Sequence, residues 1–124
     1  MKLLHLWRDT RGAAAVEFAM TAPIFFLLLF GAIGAGLLAW AQIGLQHGVE
    51  MAARCASVNT SLCGNDDAVR NFASAQTYGL NPPTSTFAVT TSACGYKVDA
   101  TYPFPVAISY FGSFTLKAES CFPK

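Results

Sequence analysis

Apolar and polar positions fall into three patterns along this 124-residue chain, and each predicts a different element. From Phe18 to Ala41 there is no charge, and about 24 mostly apolar or small residues in a row are enough, at about 1.5 Å each, to cross a hydrocarbon core of about 30 Å. Past Ala41 the apolar residues recur at helical spacing. Leu45, Val49, Ala52 and Ala56 make one stripe, and Gln46, Glu50 and Arg54 another, with Glu50 and Arg54 at the i, i+4 pairing distance. One continuous helix from about Ala13 to about Ser57 is predicted, roughly 65 Å long. Pro23 should kink it or free one carbonyl. The second half outlasts a bilayer and needs a cover.

After Val58 the pattern breaks. Asn59 to Asn65 reads as a loop holding Cys63, and Asn65 as the N-cap of a short helix with Asp66 and Asp67 in its first turn and Arg70 four residues after Asp66. Gly79 is expected to end that helix, with Asn81-Pro82-Pro83 sealing it. Beyond Thr84 the alternation is that of strands: Thr86 to Ser92, Tyr96 to Phe104 and Ser113 to Ser120, with Ala93-Cys94-Gly95 as a turn. The Pro- and aromatic-rich stretch from Pro103 to Gly112 fits no element and reads as a loop on the head or on a membrane surface. The expected class is α+β: a long N-terminal transmembrane helix continuing into a small head with a short helix and a three-stranded antiparallel meander. The division is 1–12 as a cytoplasmic leader, 13–57 as the helix, membrane-spanning to about 41, and 58–124 as an extracytoplasmic head.

Charge sharpens this picture. Only 12% of the chain is charged, and 32 consecutive residues between Glu17 and Glu50 carry none. A soluble domain usually has about twice that charged fraction, so a freely soluble cytosolic enzyme is excluded. Eight Lys and Arg nearly balance seven Asp and Glu with no basic stripe, which argues against nucleic acid as a partner. Lys2, Arg8 and Arg11 against Asp9 precede the apolar run, whereas Glu50 and Arg54 cancel beyond it, so the N-terminus is expected in the cytoplasm.

All four cysteines, Cys55, Cys63, Cys94 and Cys121, follow the apolar run, as expected of a disulfide framework in an oxidising compartment. Their spacings contain no C-x2-C pair and His5 and His47 complete no finger, so structural zinc is not expected. Three pairings are open. In an antiparallel meander the start of the second strand lies beside the end of the third, which favours Cys94–Cys121 and leaves Cys55–Cys63. A head of about 67 residues buries too little to be secure without such bridges.

Chemistry concentrates at the edge of the apolar run, in Arg11-Gly12-Ala13-Ala14-Ala15-Val16-Glu17-Phe18. A carboxylate within the first turns of a membrane helix needs a partner or must snorkel to the headgroups. A cut after Gly12 would supply one, since the new amine at Ala13 lies four residues before Glu17 and could be neutralised by Glu17 of another subunit. Small-xxx-small pairs, Gly31 with Ala35, Ala32 with Gly36, and Gly44 with Gly48, fit close helix packing.

The stretch RGAAAVEFAMTAPIFFLLLFG, Arg11 to Gly31, resembles the TadE-like family of pilus-assembly proteins, which share the type IV pilin arrangement of Gly before a cut and Glu at the fifth mature position. The resemblance implies a pilin-like minor pseudopilin of the tight-adherence (Flp-type) system, in the bacterial inner membrane with a single span. It implies processing by a prepilin peptidase with Gly12 before the cut, Ala13 as the mature N-terminus and Glu17 as the assembly carboxylate. Its partners would be the membrane, that peptidase and other pilin or pseudopilin subunits met through the N-terminal helix.

Other candidates are weaker. His47 and Cys55 lie two turns apart on the helix but lack a third orienting residue. Asn59-Thr60-Ser61 matches the glycosylation sequon, and Asn65-Asp66-Asp67 lacks the alternation of a calcium loop. No catalytic residue, cofactor or metal is expected. A second class of function, a secreted or membrane-anchored binding module, rests on Ala39-Trp40-Ala41, which fits a signal-peptidase site before Gln42, although the apolar stretch greatly exceeds a typical signal h-region. With no cut at all, the chain would be a plain membrane-anchored domain.

Overall fold

A computed structural model describes residues 12–105 and 112–124. The expected leader, apart from Gly12, and most of the Pro103–Gly112 stretch lie outside the described residues. Helix α1 runs from Ala13 to Val58 without a break, one residue past its expected end, and Pro23 lies inside it. Proline has no N–H to give, so the Ala19 carbonyl one turn back goes without its helical donor. Just before it in the chain, the carbonyls of Glu17 and Phe18 accept from the Thr21 hydroxyl at 3.1 and 3.2 Å.

Two compact units divide the chain, residues 1–36 and residues 37–124. The second holds all of the head, and α1 from Leu37 onward is part of its core rather than a stalk leading to it. Ala41, Leu45, Val49, Ala52, Ala53 and Ala56 are buried with Val69, Ala73, Phe87, Val98 and Ala100. The stripe of Leu45, Val49, Ala52 and Ala56 is thus the face that the head covers. Alanines at 52, 53, 73 and 100 keep the side chains of that layer small.

Helix α1 ends where Asn59 N donates to Cys55 O at 2.9 Å and the Asn59 carbonyl turns to accept from Leu62 and Cys63. The Cys55–Cys63 disulfide closes this reversal. Helix α2, Asp66–Ala75, starts as expected: the Asn65 side chain accepts from Ala68 N at 2.8 Å, and Asp66 and Asp67 occupy the positive end of the dipole. Arg70 pairs with Asp67 at 3.2 Å rather than with Asp66. The helix ends at Ala75, four residues before Gly79. Two hydroxyls take over there, Ser74 Oγ donating to Pro82 O and Thr77 Oγ1 to Ser74 O, so the chain turns early through Tyr78, Gly79 and Asn81, all with positive φ.

A short 3-10 turn, Thr84–Thr86, leads into the sheet. Strands β1 (Phe87–Ser92), β2 (Gly95–Phe104) and β3 (Phe114–Phe122) form an antiparallel meander in the order β1-β2-β3. Two residues, Ala93 and Cys94, close the first hairpin, because Ser92 pairs with Gly95. Gly95 has φ +124, and a Cβ there would overlap the Phe122 carbonyl, so only glycine fits. Register aligns Phe87, Ala100 and Ala118 across the inner face, and Val89 with Val98 beside them. The Cys94–Cys121 disulfide ties the hairpin turn to the end of β3. Within the described residues the fold is α+β as expected, with both cysteine pairings as expected and no free cysteine.

Candidate functional site

Gly12 and Ala13 stand at the entry of α1, and Glu17 lies one turn inside it, exposed. A Cβ built on Gly12 would meet nothing within 4 Å, and the same holds for Gly31, Gly34 and Gly36. Among the described residues nothing at those positions requires glycine. Arg11, the basic residue of the motif, lies outside the described residues.

Between Glu17 and Gly36 the helix presents apolar side chains on every face. Phe18, Met20, Leu27 and Phe30 are each at least 66% exposed, and only Phe25, Phe26 and Phe30 touch one another as rings. Such a surface cannot face water over this length, and an apolar helix of this length and composition is able to cross a membrane. Glu17 is the single ionisable group between Gly12 and His47.

The four helix-packing residues separate into two kinds. Gly31 and Ala35 are exposed, and a Cβ on Gly31 would meet nothing within 4 Å among the described residues. Gly44 and Gly48 are buried against α2 and the turn after it: a Cβ on Gly44 would come within 2.6 Å of Thr77 O, and one on Gly48 within 2.8 Å of Ala73 O. This second pair seats the chain's own helix and is closed to any other.

Around that seat, His47 Nδ1 bonds the Gln76 carbonyl at 2.8 Å and its ring stacks on Tyr78 at 4.5 Å. With Cys55 bonded to Cys63, His47 and Cys55 form no catalytic pair. Asn59, the sequon asparagine, accepts from Ser61 Oγ and Leu62 N, an ordinary turn contact. Glu50 accepts from Gln46 Nε2 at 2.8 Å, and no Glu50–Arg54 ion pair forms among the described residues. Ala39-Trp40-Ala41 lies in mid-helix with Ala41 fully buried.

Helical spacing alone does not disclose how α1 meets the sheet. Gln42 Nε2 donates to Lys117 O at 2.8 Å and Gln46 Nε2 to Glu119 O at 3.3 Å, so helix glutamines occupy the outer edge of β3. Two Gln four apart on the flank of the apolar stripe were the available signal. On the sheet's outer face Asp99 pairs in register with Glu119, two like charges side by side, and Lys97 bridges them at 2.9 and 3.1 Å. Those bonds, to Asp99 first and then Glu119, raise the Lys97 pKa above its ordinary 10.5. A recess of about 280 Å³ lies beside Gln46, Asp99, Thr101, Lys117 and Glu119, with no cysteine, serine or histidine among its lining residues. Among the described residues no group of three or more His, Cys, Asp or Glu gathers as a metal site would require.

Residues 12–54 match the family model described as TadE-like protein, about a third of the chain, from the glycine at the helix entry to Arg54. No curated protein matches the chain. No solved structure does either.

Proposed function

The chain is TadE-like over residues 12–54, and from that premise we propose that it is a non-enzymatic minor pseudopilin that helps initiate or assemble a tight-adherence type pilus. A prepilin peptidase cuts after Gly12, and the mature helix begins at Ala13 in the inner membrane with the head outside. One observation carries the reading: a glycine that nothing among the described residues requires stands five residues before the single carboxylate of the apolar, exposed first part of α1.

The physical logic joins the two positions. A free α-amine has an ordinary pKa of about 7.7–8.0 and is largely protonated at neutral pH. In a membrane it needs a counter-charge, and so does Glu17. Glu17 of one subunit and the Ala13 amine of another satisfy both needs at once. The cut also removes Lys2, Arg8 and Arg11, the charges that pin the helix at the cytoplasmic face, and changes formal side-chain charge from +1 to −1, since 8 − 3 = 5 Lys and Arg remain against 7 − 1 = 6 Asp and Glu. Gly31 and Ala35, both exposed, offer the next surface for a partner helix. Release by a cut before Gln42 is opposed by the burial of Ala41 and by the Gln42 bond to β3.

Intact mass from host membranes tests the processing: a chain starting at Ala13, and a full-length chain when the prepilin peptidase is absent, is the expected pair of results. Glu17→Ala should insert normally and fail to support pilus assembly. Wild-type pilus numbers in that variant would count decisively against the assembly role.

A further inference from the structure

We infer that the paired ends of β2 and β3, Phe104 and Phe114, are a second membrane contact, seated in the lipid interface at the level of Trp40. The inference rests on reading α1 as a membrane span. Its own basis is the register between α1 and β3. Gln42 bonds Lys117 O and Gln46 bonds Glu119 O, so β3 runs alongside the helix in the same direction. Four helical residues rise about 6 Å and two strand residues about 6.6 Å, so the two elements keep level with each other.

Going back from that tie, Leu37 lies about 7.5 Å before Gln42 on the helix, and Phe114 about 10 Å before Lys117 on the strand. Phe114 therefore descends at least as far as Leu37, inside the apolar run that ends at Ala41. The charges agree with that level. No charged residue occurs from Ala100 to Leu116, and Lys117, the first one, is bonded through its carbonyl to Gln42, the first residue after the apolar run. The apolar run of the helix and the uncharged stretch of the head thus end at one height, as they would if a single membrane surface bounded both.

The side chains at that end suit an interface. Phe104 and Phe114 face each other in register at the last described pair of β2 and β3; Leu37, Trp40 and Phe114 are 52, 43 and 48% exposed, and Phe104 is half-buried with one side on the core. Aromatic side chains concentrate at the headgroup level of membrane proteins, and a Lys just above them can reach lipid phosphates. At the opposite end of the sheet, Thr90 and Ser92 on β1 are exposed and polar, as an end in water should be.

The test uses the full chain reconstituted in phosphatidylcholine vesicles, with and without bromine on the acyl chains, and single-tryptophan reporters in a W7F/W40F background. F114W and F104W report on the hairpin end, L29W on the span and T90W on the far end. Quenching of F114W and F104W several-fold above T90W, approaching that of L29W, is expected. If L29W is quenched while both hairpin reporters behave like T90W, the hairpin faces water or another protein, so the inference fails and the span stands. An unquenched L29W would remove the span itself, and this inference with it.

Discussion

Gln42 and Lys117, 75 positions apart in the chain, are joined by a side-chain amide donating to a strand carbonyl at 2.8 Å. An exposed sheet edge is a template for unwanted pairing, and here the helix's own glutamines occupy it. Replacing Gln42 and Gln46 together by Ala should cost about 1–2 kcal/mol, near 1 per neutral hydrogen bond. In a unit of this size that is a fall in Tm of roughly 4–16 °C, read by thermal unfolding in detergent. Association of the head at high concentration should rise in the same variant.

Gly48→Ala and Gly31→Ala should move stability in opposite directions. Alanine gains up to about 1 kcal/mol over glycine in a helix interior. At Gly48 the new methyl meets Ala73 O at 2.8 Å and Thr77 Cγ2 at 2.9 Å, and such overpacking costs about 1–3 kcal/mol, so the clash wins. At Gly31 there is open space and the propensity gain stands. Denaturant midpoints of the two variants, measured side by side, check the sign of each.

Removing the disulfides separately should rank them by loop length. Chain-entropy arithmetic gives about 2.5 kcal/mol for the 8-residue separation of Cys55 and Cys63 and about 3.5 kcal/mol for the 27-residue separation of Cys94 and Cys121. C94S/C121S is therefore expected to unfold at a lower temperature than C55S/C63S.

Lys97 links stability to alkaline pH. Its folded pKa is raised above 10.5, so its contribution is fully present below the unfolded value of about 10.4 and is lost as pH climbs through the folded one. Tm followed from about pH 9 to about pH 12 should fall more steeply in the native chain than in Lys97→Gln. Equal slopes would show that the bridge between Asp99 and Glu119 contributes nothing in solution.

What the sequence revealed and what it concealed divide along chain distance. Alternation in Phe87–Ser92 and Gly95–Phe104 was enough to locate the strands, and the meander then brought Cys94 beside Cys121. The stripe of Leu45, Val49 and Ala52 was readable because helical spacing is local. The early stop of α2 was not, because Ser74 and Thr77 close it through bonds to a segment beyond the turn, ahead of the Gly79 signal. For the same reason Gly44 and Gly48 read like Gly31 and Ala35. Only the fold shows that one pair is occupied by Ala73 and Thr77 and the other is open. The Gly12–Glu17 spacing lies within two helical turns, so it can be read without the fold.

The two disulfides also decide how the head would respond to a pull. Stretched between Leu37 and Lys124, the unit would extend to about 300 Å at about 3.5 Å per residue. Cys55–Cys63 and Cys94–Cys121 withdraw 8 and 27 residues from that length, or about 120 Å, which no force short of breaking a covalent bond can release. The loop after α1 and nearly all of β2 and β3 lie inside those withdrawn segments. Under load the bridged loops bypass the tension, and the lengthening falls on α1, α2 and β1.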